Sequence, residues 1–192
     1  MKKTKCIIVI DVDGTIIPNV IDFEKIRAEV RELIGINHPL KPLGESLFGL
    51  KIDEDLKRRA WDLVEKAELE SINRIKPEEV ERNVDLLKNV LNRGIEILLV
   101  TMRSMKTVEP LLRRICLHEF LNNTITRDGF TSRYQQLKYI KETHKESKVV
   151  FIGDTDHDEE SAKKADVHFI RVRNYSDLNK ALQISMDLCH RD

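Results

Sequence analysis

The stretch KCIIVIDVDGT, residues 5–15, constrains the fold of this chain more than any other part of its sequence. Its four apolar residues, Ile7–Ile10, form an unbroken β-branched run, which is typical of a strand buried on both faces in a parallel sheet. Asp11 and Asp13 follow at the carboxyl end of that strand, where open α/β sheets bind their ligands. Two carboxylates this close repel each other, and a divalent cation, which prefers carboxylate oxygens, would balance them. Gly14 then allows the backbone to turn away from the strand.

Length and charge limit the classes of function. The chain has 192 residues, enough for one domain or for one domain with a small insertion. Lys and Arg together number 33, as do Asp and Glu, so the formal net charge is zero and no electrostatic case exists for nucleic-acid or membrane-surface binding. No apolar run approaches the ~20 residues that span a bilayer. We therefore expect a cytoplasmic protein with neither a nucleic-acid nor a membrane partner, either a monomer or a homodimer.

The three cysteines, Cys6, Cys116 and Cys189, lie far apart in the sequence. None of them belongs to a CxxC pair or to another spacing typical of a zinc site. The sequence therefore predicts three reduced, small core residues rather than a disulfide framework.

Strand patterns alternate with helix patterns along the chain. After the first strand, apolar strands are predicted at 95–100, 123–127, 148–152 and 167–172, and helices are predicted between them. This alternation predicts an α/β fold with a Rossmann-like parallel sheet and helices on both faces.

One connection is too long for an ordinary crossover. About 80 residues separate the first strand from the second. Most connections between parallel strands have only a few residues besides their helix. The sequence predicts one helix capped by Asp22 and ended by Gly35, a loop over residues 38–50, and a second helix after Asp53. We interpret residues 18–76 as a small helical cap inserted into a core made of residues 1–17 and 77–192.

Polar residues able to handle phosphate or metal follow three of the predicted strands. They are Asp11 with Asp13, then Thr101, and then Asp154 with Asp158 in the segment GDTDHD. Asp11 could attack phosphorus, and Asp13 could act as general acid and then as general base. Thr101 could donate to phosphoryl oxygens or only cap the next helix. The acids are suited to Mg²⁺, although Asp158 could serve only the helix dipole.

These motifs resemble those of the haloacid dehalogenase-like superfamily of phosphohydrolases. DVDGT at residues 11–15 is similar to the family's DxDGT motif, Thr101 to its second motif, and GDTDHD to its GDxxxD motif, over about two thirds of the chain. The resemblance implies that Asp11 is the nucleophile and Asp13 the acid/base. It also implies Mg²⁺ held by the Asp11 carboxylate, the Asp13 main-chain carbonyl and Asp154, with Asp158 in support. The insertion point resembles that of helical-cap members such as phosphoglycolate phosphatases.

The family's third motif, a Lys or Arg at the start of the helix before the GD strand, is ambiguous here. In TRDGFTSRYQQLKYI, alignment favours Arg133, and Lys138 is the alternative if the segment is one turn out of register. Beside Thr101, Met102 and Arg103 are candidate substrate-binding residues, although a surface ion pair is an equal alternative for Arg103.

The sequence thus predicts a Mg²⁺-dependent phosphatase that hydrolyses a small phosphorylated metabolite through an aspartyl-phosphate on Asp11. Phosphoglycolate-like esters and sugar phosphates are the expected substrates. The alternatives are a phosphomutase or nucleotidase of the same family, and a phospho-ligand-binding module without turnover.

Overall fold

The computed structural model describes residues 5–190, so the outermost ends of the predicted core segments, residues 1–4 and 191–192, lie outside the described residues. Its centre is a parallel five-stranded sheet in the order β3-β2-β1-β4-β5. The strands are β1 (Lys5–Asp11), β2 (Glu96–Val100), β3 (Thr124–Ile125), β4 (Ser147–Gly153) and β5 (His168–Arg171). The α/β fold with a Rossmann-like parallel sheet is therefore confirmed.

Within residues 5–190, eight α-helices connect and cover these strands. They are α1 (Phe23–Ile34), α2 (Leu43–Gly49), α3 (Glu54–Ile72), α4 (Pro77–Asn92), α5 (Met105–Arg114), α6 (Arg133–Thr143), α7 (Asp156–Lys164) and α8 (Leu178–His190), with short 3-10 helices at His118–Asn123 and Tyr175–Asp177. Across residues 5–190, none of these helices combines the length and the apolar character that a membrane crossing requires.

The alternating side chains of β1 are divided between two apolar clusters, one on each face of the sheet. Ile8 and Ile10 pack with residues of α4, α5 and α8. Ile7 and Val9 pack with residues of α6 and α7 on the opposite face. All four side chains are fully buried, as the unbroken β-branched run predicts.

Helices α1, α2 and α3, which we call the α1–α3 insertion, have an apolar cluster of their own. Asp22 accepts a hydrogen bond from the main-chain N–H of Lys25 and caps α1, which ends at Gly35 in the left-handed conformation. Asp53 caps α3 in the same way. The insertion is built from ordinary amphipathic helices whose apolar faces meet each other.

Helix α2 corrects the prediction of a loop over residues 38–50. Two prolines and two glycines in that segment indicated a loop, yet Leu43–Gly49 is helical. Pro42 lies just before the first turn, where its missing N–H costs nothing. Leu43 and Leu47 bury their side chains in the insertion's cluster, and this burial outweighs the poor helix propensity of glycine.

The prediction of three reduced core cysteines is also wrong. Cys6 in β1 and Cys189 in α8 form a disulfide, and Cys116 is exposed after the end of α5. The two partners are 183 positions apart, so no local pattern in the sequence predicts that they pair. The packing of α8 beside β1 brings them together.

Replacement of Cys6 by Ser is expected to lower the thermal unfolding midpoint under non-reducing conditions. Crosslinks that close loops this long stabilise a protein by up to about 5 kcal/mol in the chain-entropy model. Cys116→Ser is the matched control and should leave the midpoint unchanged. Three reactive thiols per chain in the unreduced, denatured protein, instead of one, would contradict the disulfide.

Candidate active site

The register of the sheet brings three strand ends together. Asp11 pairs with Val100 of β2, the residue before Thr101. On the other side of β1, Ile10 pairs with Ile152 of β4, which leads through Gly153 to Asp154. Polar groups more than 50 residues apart in the sequence therefore meet at one edge of the sheet.

Three carboxylates form the centre of this edge. Oxygen atoms of Asp11, Asp154 and Asp158 all lie within 4.8 Å of one another. Gly14, with φ of +84°, lies so close to Asp154 that a Cβ atom at this position would lie 2.1 Å from Asp154 Oδ2. Only glycine fits between the turn after β1 and this carboxylate.

The electrostatics of these acids suit a bound cation. Asp154 Oδ1 is buried without a hydrogen-bond partner. Burial, and next the charge of Asp158, raises the pKa of Asp154 to about 6. Burial also raises the pKa of Asp11 well above its usual value, although Arg133 opposes this shift. An orphaned carboxylate oxygen beside two further acids fits a hard divalent cation such as Mg²⁺.

Arg133 is the cation that the protein itself supplies. Its guanidinium, buried at the start of α6, forms an ion pair with Asp11, and its Nε donates to Asp158 Oδ1 at 3.0 Å. Its Nη1 donates to Gln136 Oε1 at 2.8 Å, and Gln136 Nε2 donates to the Thr101 carbonyl at 2.9 Å. Lys138 lies away from this centre, half exposed on α6, with its ammonium 3.9 Å from Glu142.

Asp158 stabilises the start of α7 and also contacts the carboxylate centre, while its role toward a metal stays a prediction. Its backbone and side chain form a reciprocal capping box with Thr155 at the start of α7, with Thr155 Oγ1 donating to Asp158 Oδ2 at 2.6 Å. Its other oxygen, Oδ1, receives the hydrogen bond from Arg133. Asp158 thus caps the start of α7 and still contributes to the carboxylate centre.

Thr101 does not cap α5, because that position is occupied by Ser104. The Thr101 hydroxyl, almost fully buried, accepts a hydrogen bond from the main-chain N–H of Arg103 at 3.1 Å. Thr101 and Met102 both line the cavity described below.

Asp13 is held by a bidentate ion pair with Arg103. Arg103 Nε donates to Asp13 Oδ2 at 2.9 Å and Nη2 donates to Oδ1 at 2.8 Å. The same guanidinium donates to the Glu68 carbonyl at 3.0 Å and to Ser71 Oγ at 2.9 Å, both on α3. Arg103 is only 2% exposed, so it is a buried link between core and insertion rather than a surface ion pair.

A second buried pair continues this link. The Glu68 carboxylate forms an ion pair with Arg127 and accepts a hydrogen bond from Thr107 Oγ1 at 2.7 Å. Arg127 Nη1 also donates to the Met102 carbonyl at 2.7 Å. The carboxyl-terminal half of α3 is therefore fixed to the loops that follow β2 and β3.

The carboxylate of Glu45 connects α2 to the site by hydrogen bonds. Glu45 Oε1 lies 2.7 Å from His157 Nε2 and accepts a hydrogen bond from the main-chain N–H of Arg133 at 3.2 Å. Burial raises the pKa of Glu45, but these hydrogen bonds outweigh it, and its pKa lies below the usual value.

A cavity of about 280 Å³ lies between the carboxylate centre and the insertion. Its core side includes the predicted site residues Asp11, Asp13, Thr101, Met102, Arg103, Arg133, Asp154 and Asp158. Lys138 is not among the residues that line it.

Sequence reasoning missed several contributors. The sequence motifs do not point to Gln136, Glu68 or Ser71. The predicted site residues also do not include Glu45 and His157. The spacing of Gln136 from Arg133, one helical turn, is a local signal that could have identified it. The other contacts join distant segments and leave no such local signal.

The charge balance defines what the site can do. On the core side of the cavity, the four carboxylates of Asp11, Asp13, Asp154 and Asp158 face two guanidinium groups, Arg103 and Arg133. Among these six groups two formal negative charges remain, which matches one divalent cation. A phosphoryl group bound with that cation would meet a carboxylate nucleophile, a hydroxyl and a guanidinium.

The chain belongs to the haloacid dehalogenase-like hydrolase family, whose model matches residues 8–172. The resemblance stated from the motifs is thereby confirmed, and the protein is a hydrolase of that family. No curated protein matches the chain.

Solved structures show the same fold at low sequence identity. A haloacid dehalogenase-like hydrolase from Streptococcus pneumoniae is 16% identical with a TM-score of 0.62, over 96% of this chain and 99% of that one. A hydrolase from Pseudomonas syringae is 16% identical with a TM-score of 0.63, covering 92% and 90%. A proposed phosphoglycolate phosphatase from Lactobacillus plantarum is 17% identical with a TM-score of 0.62, covering 94% and 100%.

The pKa of Asp154 predicts opposite effects of pH with and without metal. Between pH 3.8, its ordinary pKa, and about pH 6, the folded protein holds a proton that the unfolded chain has lost. The contribution of Asp154 to the stability of the metal-free protein therefore falls as pH rises through this window. Mg²⁺ must displace the same proton, so its affinity should weaken about tenfold per pH unit below 6.

Thermal unfolding with and without MgCl₂ at pH 5 and pH 7.5 measures both effects. Asp154→Asn should raise the metal-free midpoint at pH 7.5 and abolish the Mg²⁺-induced shift. Asp156→Asn is the control, because Asp156 is exposed and pairs with Arg171 outside the cluster. Equal Mg²⁺-induced shifts in the wild type and in Asp154→Asn would contradict this assignment.

Proposed function

We propose that this protein is a Mg²⁺-dependent phosphatase that hydrolyses a small phosphomonoester through an aspartyl-phosphate on Asp11. The proposal depends on one observation above all: Asp11, Asp154 and Asp158 cluster beside Arg133 and Thr101 at one cavity. The family gives the class of hydrolase, and the name of the Lactobacillus plantarum protein suggests phosphoglycolate-like esters as one substrate type.

In the first step, a carboxylate oxygen of Asp11 forms a bond to phosphorus while the bond from phosphorus to the ester oxygen breaks. Arg133 and the Thr101 hydroxyl donate to the phosphoryl oxygens. Asp11, Asp154 and the main-chain carbonyl of Asp13, with Asp158 in support, would hold Mg²⁺, which would supply positive charge near the phosphoryl group and favour the ionised form of Asp11.

Asp13 moves the protons of both steps. It gives a proton to the leaving alkoxide in the first step and accepts a proton from water in the second. That water attacks phosphorus of the aspartyl-phosphate, which releases inorganic phosphate and restores Asp11. Arg103 orients Asp13, because both oxygens of this carboxylate accept hydrogen bonds from it; one of these bonds has to open before Asp13 carries the proton that it donates.

Asp11→Asn is expected to abolish turnover. The amide retains the shape of the carboxylate but is a poor nucleophile, so Mg²⁺-dependent phosphate release should fall by about a thousandfold or more. Phosphate release from p-nitrophenyl phosphate, with Mg²⁺ and with EDTA, measures this. In the wild type, mass spectrometry after acid quench should find one phosphoryl group on Asp11. Absence of metal-dependent turnover across a broad panel of phosphomonoesters would favour a binding module instead.

Asp13→Asn should act selectively on esters with poor leaving groups. An alkoxide needs a proton as it leaves, whereas p-nitrophenolate does not, so kcat/KM should fall by about 10²-fold or more for an alkyl phosphate and much less for p-nitrophenyl phosphate. The ratio of the two kcat/KM values is the measurement. A uniform loss for both substrates would remove Asp13 from the role of general acid.

A further inference from the structure

The insertion side of the cavity is mostly apolar. Ile21, Phe23 and Pro42 line it, together with Leu43, Trp61 and Val64. This wall faces the space beyond the phosphoryl group, where the leaving group of the substrate must lie. Hydrogen-bonding groups are few there.

The protein engages all four polar residues on this wall, but to different degrees. Glu45 accepts from Arg133 and contacts His157, and Glu68 is paired with Arg127. Asn19 Oδ1 accepts a long hydrogen bond from the main-chain N–H of Ile21 at 3.4 Å, and Arg27 pairs with Glu24, which does not line the cavity. A leaving group with several hydroxyls would bury most of them without partners, which is unfavourable.

Arg27 gives this wall a surplus of positive charge. Its side chain is only 12% exposed, and Nη2 donates to Glu24 Oε1 at 2.7 Å. Lys41 Nζ lies 2.8 Å from the same Glu24 oxygen, so two cations share one carboxylate. Glu24 and Lys41 are mostly exposed and do not line the cavity, whereas Arg27 does. An anionic group in the cavity would therefore find Arg27 incompletely neutralised.

We propose, on the basis of the function proposed above, that the substrate is a phosphomonoester whose leaving group has a compact apolar body and a second anionic group bound at Arg27. The cavity volume of about 280 Å³ lies at the small end of the ~300–1,000 Å³ of small-molecule sites. It suits a single ring or a short chain rather than a nucleoside. This inference narrows the substrate types that the resemblance suggests and excludes hydroxyl-rich sugars as good substrates.

The test compares four phosphate esters with Mg²⁺: benzyl phosphate, 4-carboxybenzyl phosphate, 2-phosphoglycolate and glucose 6-phosphate. Benzyl phosphate and glucose 6-phosphate are both esters of primary alcohols, so their leaving groups place similar demands on Asp13. We expect kcat/KM for benzyl phosphate to exceed that for glucose 6-phosphate at least tenfold. The 4-carboxybenzyl ester should gain about a further tenfold, and 2-phosphoglycolate, which has the anion without the apolar body, should fall below it.

Two variants test the assignment of Arg27. Arg27→Gln should bring the kcat/KM ratio of 4-carboxybenzyl to benzyl phosphate close to one. Lys25→Gln is the matched control: it removes an exposed charge of α1 that pairs with Glu29 and does not line the cavity, and should leave that ratio unchanged.

The outcomes separate this inference from the function on which it rests. Efficient hydrolysis of glucose 6-phosphate relative to benzyl phosphate, or an unchanged ratio in Arg27→Gln, would overturn the inference and leave the phosphatase standing. Failure to hydrolyse any of the four esters or p-nitrophenyl phosphate would overturn both.

Discussion

The structure depends on a balance of charge at the carboxyl end of β1. Asp11, Asp154 and Asp158 crowd around one point, and Arg133 is the buried cation that contacts two of them. Removing a buried partner from such a cluster leaves uncompensated charge, which is far more costly than any surface ion pair. The orientation of α6, which begins at Arg133, and that of α7, which contains Asp158, are therefore fixed by the same interactions that form the site.

Two helices of the insertion contact this centre, and α3 is held more strongly than α2. Arg103 connects Asp13 to α3, and Glu68 of α3 is held in turn by Arg127, so the carboxyl-terminal half of α3 cannot shift without exposing buried charges. Among the residues that the structure describes, the side-chain hydrogen bonds from α2 to the core come from Glu45. A shift of α2 would therefore break fewer buried ionic contacts than a shift of α3, to which the orientation of Asp13 is linked.

Local patterns in the sequence were sufficient to predict the sheet and the acids at its edge. An apolar run predicts a buried strand, and the polar residue that follows the run is therefore predicted to lie at the carboxyl end of that strand. Asp11 and Asp154 follow from that rule. The loop prediction from composition is wrong for α2. Burial of the Leu43 and Leu47 side chains favours the helix there despite the prolines and glycines of the segment. The contact of Glu45 with His157, 112 residues away, comes from tertiary packing that no local window contains.

The disulfide between Cys6 and Cys189 turns most of the chain into one covalent ring. It joins β1, the strand that carries Asp11, to α8 across a sequence separation of 183 residues. A single backbone cut in the α1–α3 insertion would leave one molecule rather than two fragments. A mechanical pull applied to β1 and α8 would likewise load the sulfur bridge and leave the sheet unstretched.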